Sequence, residues 1–232
     1  MTDRVAIFDW DNTVVRGFAN DYLFSLLIKE KTITDDLLIG RGVNHASYAR
    51  GELSHDRMVE LNRILLEENF RGVKKASVLN ALSKYHKSRM QFAYEFMFES
   101  IFPYLSDRGI RIIVVTGALK EIIELYKSDF NLWRLIALEA TVENGVCTGE
   151  FSSYIATSDG KERVINELIA ENDLSVEFSF GDSTSYIPLF SVANYAFVNN
   201  STRFFERENI EYLDFNDKTA CETILSKLKN EL

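Results

Sequence analysis

A chain of 232 residues that is 46% hydrophobic and 26% charged carries enough apolar material for a sizeable core, which excludes wholesale disorder. Its 26 Lys and Arg against 35 Asp and Glu give a formal net charge of −9, and with no Lys/Arg cluster this excludes the basic face of a general nucleic-acid binder. Cys147 and Cys221 lie far apart and form neither a disulfide framework nor a Cys-x-x-Cys pair, no apolar run approaches the ~20 residues of a membrane span, and the first residues read as a strand instead of a secretory signal, so a soluble cytoplasmic protein with no membrane partner is expected.

In chain order, Val5 to Phe8 is a continuous apolar run, the pattern of a strand covered on both faces in a parallel sheet. From about residue 18 to 100 the period changes. Met58, Leu61 and Leu65 recur at helical spacing, as do Tyr22 or Leu23 with Leu26 and Leu27, and no strand run stands out, so this stretch reads as a block of helices. The aromatics Phe92, Tyr94, Phe96, Phe98 and Phe102 have a strand-like even spacing, but the residues around them favour a helix. Arg108-Gly109 reads as a turn before a strand over Ile110 to Val115, with a helix predicted over 118–129. Thr141-Val142, then Glu143-Asn144-Gly145, then Val146-Cys147-Thr148 reads as a hairpin, because Asn-Gly suits the turn that hairpins require. Beyond it come a helix over 160–172, a strand over Val176 to Phe180, a short helix over 184–191, a strand over Tyr195 to Val198, a last strand over Glu211 to Phe215 and a terminal helix over 218–230.

Strands alternating with helices predict an α/β fold with a Rossmann-like three-layer core and a mainly parallel sheet. The helical block after the first strand predicts an inserted α-helical domain over 17–99, with the core formed by 1–16 and 100–232.

Ligands of open parallel sheets bind beyond the carboxyl ends of the strands. After the first strand come Asp9, Asp11 and Thr13; after the second, Thr116 and Gly117; after Val176 to Phe180, Gly181, Asp182 and Ser183; and Lys161 opens the helix before that strand. Carboxylates gathered on one edge repel unless a cation intervenes. Mg²⁺ fits, since it takes one or two carboxylates and keeps water and phosphate as its other ligands. One carboxylate then serves as a covalent nucleophile, a second as proton donor and acceptor, with Lys161 and Thr116 neutralising phosphoryl oxygens.

These residues also carry a resemblance. Asp9-Trp10-Asp11-Asn12-Thr13-Val14 matches the D-x-D-x-T-hydrophobic signature of the haloacid dehalogenase superfamily of phosphohydrolases. Val114-Val115-Thr116-Gly117 resembles its second motif, Gly160-Lys161 its third and Gly181-Asp182-Ser183 its fourth, all in family order. The helical insertion resembles the C1-type cap of the phosphoserine-phosphatase-like branch. The resemblance implies Asp9 as nucleophile and Mg²⁺ ligand, Asp11 as general acid/base binding Mg²⁺ through its backbone carbonyl, and Asp182 as the third metal ligand. It implies that Thr116, Gly117 and Lys161 hold the phosphoryl group. The function implied is Mg²⁺-dependent hydrolysis of a small phosphorylated metabolite through an aspartyl-phosphate, with the helical insertion closing over the core and choosing the substrate. A phosphotransferase using the same intermediate, and a weakly or non-catalytic phospho-ligand binder, are the rival expectations.

Two departures stand out. The fourth motif reads Gly181-Asp182-Ser183-Thr184-Ser185-Tyr186, with Tyr186 where relatives usually carry a second Asp, so weaker metal binding is expected. The segment Val14-Val15-Arg16-Gly17-Phe18-Ala19-Asn20 has no acid to bind a substrate amino group; Arg16 suits an anionic or polar substrate and Phe18 an apolar one. His45, His55 and His86 have no metal-ligand spacing and are expected to be surface or core residues.

Overall fold

The structure is a computed structural model that describes residues 2–152, 157–200 and 202–231. Seven strands form one sheet in the order β4-β3-β2-β1-β5-β6-β7, parallel throughout except that β4 (Val146–Ser152) runs antiparallel to β3 (Leu132–Glu143). Strand β1 (Asp3–Phe8) is central, paired with β2 (Arg111–Leu119) on one side and β5 (Leu174–Gly181) on the other. The chain builds outward from β1 to β4, then returns to start again at β5, so the carboxyl end of β1 is the switch point where ligands of such sheets bind.

Burial on both faces explains the continuous apolar run in β1. Val5 and Ile7 belong to one core cluster and Ala6 and Phe8 to the other, each fully buried, as the alternation of a strand requires. Strand β2 divides the same way, with Ile112 and Val114 on one face and Ile113 and Val115 on the other. In β5, Val176 and Phe178 share parity yet face opposite clusters, because a bulge shifts the register there: Val5 pairs with Val176, but Ala6 pairs with Phe178. The shift brings Phe8 opposite Phe180, which lies opposite Phe197 in β6 (Tyr195–Asn199). Their rings stack at centroid distances of 4.2 and 4.9 Å across three strands.

Between β1 and β2 run α1 (Ala19–Lys29), α2 (Asp36–Ala49), α3 (His55–Phe70) and α4 (Lys75–Ser88), then a π-helical turn over Met97–Ile101 leading into α5 (Phe102–Ser106). The helical reading of the aromatic stretch therefore holds over its second half. Phe98 and Phe102 pack there against Phe130, with Phe102 and Phe130 stacked at 4.5 Å. The inward faces of α1, α3 and α4 join the same apolar cluster as Phe8 and Phe180.

The helix expected over 118–129 is displaced. Strand β2 continues to Leu119, whose backbone pairs with Leu138 of β3, and only α6 (Lys120–Glu124) is helical. Ala118 and Leu119 are buried, so the apolar strand run is longer than its Thr-Gly interruption suggests. The first half of β3 carries no clean pattern, because it pairs with β2 on one side, while β4 pairs only with its second half, and most of it is half-buried. The hairpin itself forms as expected, with Asn144 and Gly145 at φ 50° and 81° joining β3 to β4. After it, α7 (Ser158–Asn172), α8 (Ile187–Val192), β7 (Ile210–Leu213) and α9 (Ala220–Glu231) complete the chain within a few residues of expectation.

The hairpin is seated on the helices by Gly149. Its φ is +89°, and an added Cβ would lie 2.7 Å from the Glu67 carbonyl oxygen of α3. Gly149→Ala is therefore expected to destabilise the protein by about 2–4 kcal/mol, combining a left-handed backbone with overpacking against backbone. Urea denaturation checks this, and an unchanged midpoint would mean that the hairpin does not rest on α3 in this way.

Candidate active site

The first loop gathers the acids by local bonding. Strand pairing continues one residue past β1, with Asp9 N–H donating to the Phe180 carbonyl at 2.9 Å. The chain then coils, Val14 and Val15 N–H both returning to the Trp10 carbonyl, with Asn12 in the left-handed region at φ 56°, a conformation Asn tolerates. Asp11 Oδ1 accepts the N–H of Ala19, the first residue of α1, at 2.9 Å, so this carboxylate serves as the cap of a helix whose own N-cap position holds Phe18.

Asp9, Asp11, Phe18, Gly117, Lys161 and Asp182 line one cavity of about 270 Å³. Asp9 is buried and heavily bonded: Oδ1 accepts the Trp10 N–H and the Tyr186 hydroxyl, and Oδ2 accepts the Thr13 hydroxyl at 3.3 Å. Asp182 accepts a bond from Asn12 Nδ2 at 3.2 Å. Lys161, buried in the first turn of α7, donates to Ser185 Oγ at 2.8 Å and lies 3.4 Å from the Tyr186 ring centroid. Thr157 caps that helix by accepting the Gly160 N–H at 3.1 Å.

Burial dominates the electrostatics. It pushes Asp9 well above the usual carboxylate range, helped by Asp182 and opposed by Lys161. It raises Asp11 to about 7, against the opposing Ala19 N–H bond, and raises Asp182 as well. Burial lowers Lys161 to about 8, while Asp9 and Asp182 pull it upward. The floor of the cavity thus gathers three carboxyl groups against one ammonium in poor solvent, where their charged forms are disfavoured, an arrangement that a hard dication relieves. Among the described residues no group of three or more His, Cys, Asp or Glu side chains stands ready-made to hold a metal ion. The set that fits Mg²⁺ is narrower: the Asp9 and Asp182 carboxylates with a main-chain oxygen and water.

Two candidate residues stand apart from the cavity. Thr116 is fully buried and its Oγ accepts the Ala118 N–H at 3.1 Å. The Arg16 guanidinium turns to the Ala93 carbonyl and to Asn216, and lies 4.5 Å from the Tyr94 ring centroid. Its charge is directed away from the space that a substrate would fill.

The upper wall comes from α2 and α3. Arg41, His45 and Tyr48 share one face of α2 at i, i+4 and i+7; His55, Met58 and Asn62 share one face of α3. His45 and His55 thus face the cavity, and burial pulls both imidazoles below their ordinary pKa. Among the described residues that line the cavity, the only carboxylates are the three on the floor. Arg41 is paired with Asp21 at 2.8 Å, and Phe18 lies 5.0 Å from His45, ring to ring. Asn20 is another residue that sequence reasoning missed: it is buried, donates to the Gly117 carbonyl at 3.2 Å and accepts the Leu119 N–H at 2.9 Å, tying α1 to the end of β2. No local pattern marks such a residue; only the fold makes it a tie.

Solved structures share this fold at low identity. A protein of unknown function from Bordetella pertussis Tohama I is 19% identical, with a TM-score of 0.68 over 87% of this chain and 92% of that one. A phosphoserine phosphatase from T. onnurineus is 15% identical, with a TM-score of 0.60 over 96% and 94%. A phosphoserine phosphatase described as a phospho-aspartyl intermediate analogue is 15% identical, with a TM-score of 0.58 over 85% and 87%. No curated protein matches the sequence. The profile of the haloacid dehalogenase-like hydrolases matches residues 6–191, from the first strand through the fourth motif. With that match spanning most of its length, the chain belongs to the haloacid dehalogenase-like hydrolase family.

Proposed function

We propose that this chain is a Mg²⁺-dependent phosphatase that hydrolyses a small phosphomonoester through an aspartyl-phosphate on Asp9. The observation that carries this is the convergence of Asp9, Asp11, Asp182 and Lys161 on one cavity at the carboxyl end of the sheet. The phosphoserine phosphatases among the structural neighbours, one of them a phospho-aspartyl intermediate analogue, support the same chemistry. Residues 17–99 act as the cap that selects the substrate, and 1–16 with 100–232 as the core that carries the reaction.

Asp9 attacks phosphorus, the bond to the leaving oxygen breaks, and Asp11 delivers a proton to that oxygen. Asp11 then takes a proton from water as the water attacks the phosphoryl group, which frees phosphate and restores Asp9. A group held at about 7 suits both proton transfers near neutral pH. Lys161 and the Gly117 backbone stabilise charge on the phosphoryl oxygens. Asp9, Asp182 and the Asp11 carbonyl would hold Mg²⁺, which when bound supplies positive charge against the phosphoryl oxygens.

The upper wall bears on the leaving group. Among the described lining residues the upper wall offers no carboxylate, so an ammonium on the leaving group meets no anionic partner on that wall, and a buried charge without one is costly. Phosphate release from a panel of phosphomonoesters, with and without Mg²⁺, tests the function. Within it, O-phosphoserine is expected to turn over at least about tenfold less efficiently in kcat/KM than 3-phosphooxypropanoate, its counterpart without the amine. Equal or better use of phosphoserine contradicts this reading of the wall.

The Tyr186–Asp9 bond favours a second reading, a phospho-ligand binder with slow turnover. Binding of phosphorylated ligands without release in saturating Mg²⁺ would select it.

A further inference from the structure

We infer that the upper wall of the cavity takes an alcohol that carries one uncharged planar ring, so that the substrates are small arylalkyl phosphomonoesters and Phe18 is a specificity-determining residue. This rests on the phosphatase function proposed above and names its leaving group. Phe18 holds the N-cap of α1, where Ser, Thr, Asp and Asn are favoured, and gives that helix no side-chain bond; Asp11 supplies the bond instead. Its ring is 41% exposed and lines the cavity. A large apolar side chain that breaks a local rule and stays open to a cavity is expected where it serves a ligand.

Phe18 has company. Among the described residues the upper wall presents four rings: Phe18, then His45 and Tyr48 of α2, then His55 of α3. The Phe18 and His45 rings lie 5.0 Å apart at 39°, and the Tyr48 and His55 rings lie 5.8 Å apart, edge to face at 75°. Burial is the chief cause that holds both imidazoles below their ordinary pKa, so at neutral pH they are uncharged rings. Met58, Val59 and Leu66 of α3 add aliphatic surface to the same wall. Its polar groups are already engaged by the protein. Arg41 pairs with Asp21 at 2.8 Å, and Arg63 pairs with Glu67. Asn62 accepts a bond from Asn44 Nδ2 at 2.9 Å and turns its own Nδ2 to His45 Nε2. What the wall offers a leaving group is therefore ring and aliphatic surface, which rewards an apolar planar group by burial and by ring contact. A cavity of about 270 Å³ lies at the small end of small-molecule pockets and suits a phosphoryl group with a single ring.

Phosphate release in Mg²⁺ from benzyl, cyclohexylmethyl and propyl phosphate tests this, since all three leave as unactivated primary alcohols. Benzyl phosphate is expected to exceed propyl phosphate about tenfold or more in kcat/KM. It is expected to exceed cyclohexylmethyl phosphate, of similar size but not planar, about threefold or more. Phe18→Ala is expected to reduce the benzyl-to-propyl ratio about fivefold, through KM more than through kcat. Phe18→Leu, which keeps an apolar side chain, is expected to retain the preference over propyl phosphate and to lose that over cyclohexylmethyl phosphate. Equal use of benzyl and propyl phosphate overturns the inference, as does better use of 3-phosphooxypropanoate than of benzyl phosphate, or a ratio unchanged in Phe18→Ala. Release from no phosphomonoester at all overturns the phosphatase function instead. Calorimetric binding of benzylphosphonate and propylphosphonate then decides the inference: tighter binding of the first supports it, and equal binding overturns it.

Discussion

Asp9→Asn is expected to lower phosphate release by ~10⁴-fold or more, equivalent to about 5.5 kcal/mol of barrier, while the fold persists. The amide is nearly isosteric with the carboxylate and keeps a carbonyl oxygen that can accept from Tyr186 or Thr13, so the local bonding survives in part. It cannot attack phosphorus effectively. Removing a charge that burial and Asp182 both disfavour should leave the melting temperature unchanged or raise it. A stable variant with full activity would show that Asp9 is not the nucleophile. A loss of activity accompanied by unfolding would be no test, so the melting curve belongs beside the kinetics.

Asp11→Asn is expected to stabilise the metal-free protein increasingly as pH rises from about 4 to about 7. The folded chain holds Asp11 at about 7, far above its ordinary value of 3.8, chiefly through burial. Below pH 4 folded and unfolded chains both carry the proton, and the group contributes its full share of stability. Between 4 and 7 the folded chain still carries the proton that the unfolded chain has released, so stability falls as pH rises. Three pH units give an upper bound of about 4 kcal/mol, and partial exposure of Asp11 reduces this to about 2. Asn has nothing to titrate and its carbonyl can keep the Ala19 bond. Urea denaturation in EDTA across this range should show the gap between variant and wild type opening toward neutral pH. A gap that is flat, or that closes, contradicts the burial of a reluctant charge at this position. The same variant should lose turnover, because it can no longer move the proton.

The parts of the fold that were legible in the sequence are those where one local rule acts alone. Val5 to Phe8 is apolar on both faces because both are covered, and Asn144-Gly145 turns because its backbone angles demand those residues. The acids and Lys161 were legible because each follows a strand or opens a helix, where topology alone brings them together. Strand β3 was not, since a half-buried strand near the sheet edge leaves no continuous run and no strict alternation. Thr116 and Gly117 read as lying just beyond the second strand because that strand was expected to stop at Val115; pairing of Leu119 with Leu138 carries it further. The upper wall is a tertiary product. His45 and His55 lie on different helices and meet the floor only after α2 and α3 pack together. Tyr186 was legible as a departure from the fourth motif, but its contact with Asp9, 177 residues away in sequence, was not.

The most direct measurement is mass spectrometry of protein quenched in acid during turnover. A phosphoryl group is expected on the peptide containing Asp9, present in wild type with substrate and Mg²⁺ and absent from Asp9→Asn. Sustained phosphate release with no adduct at Asp9, or with the adduct on another residue, would contradict it.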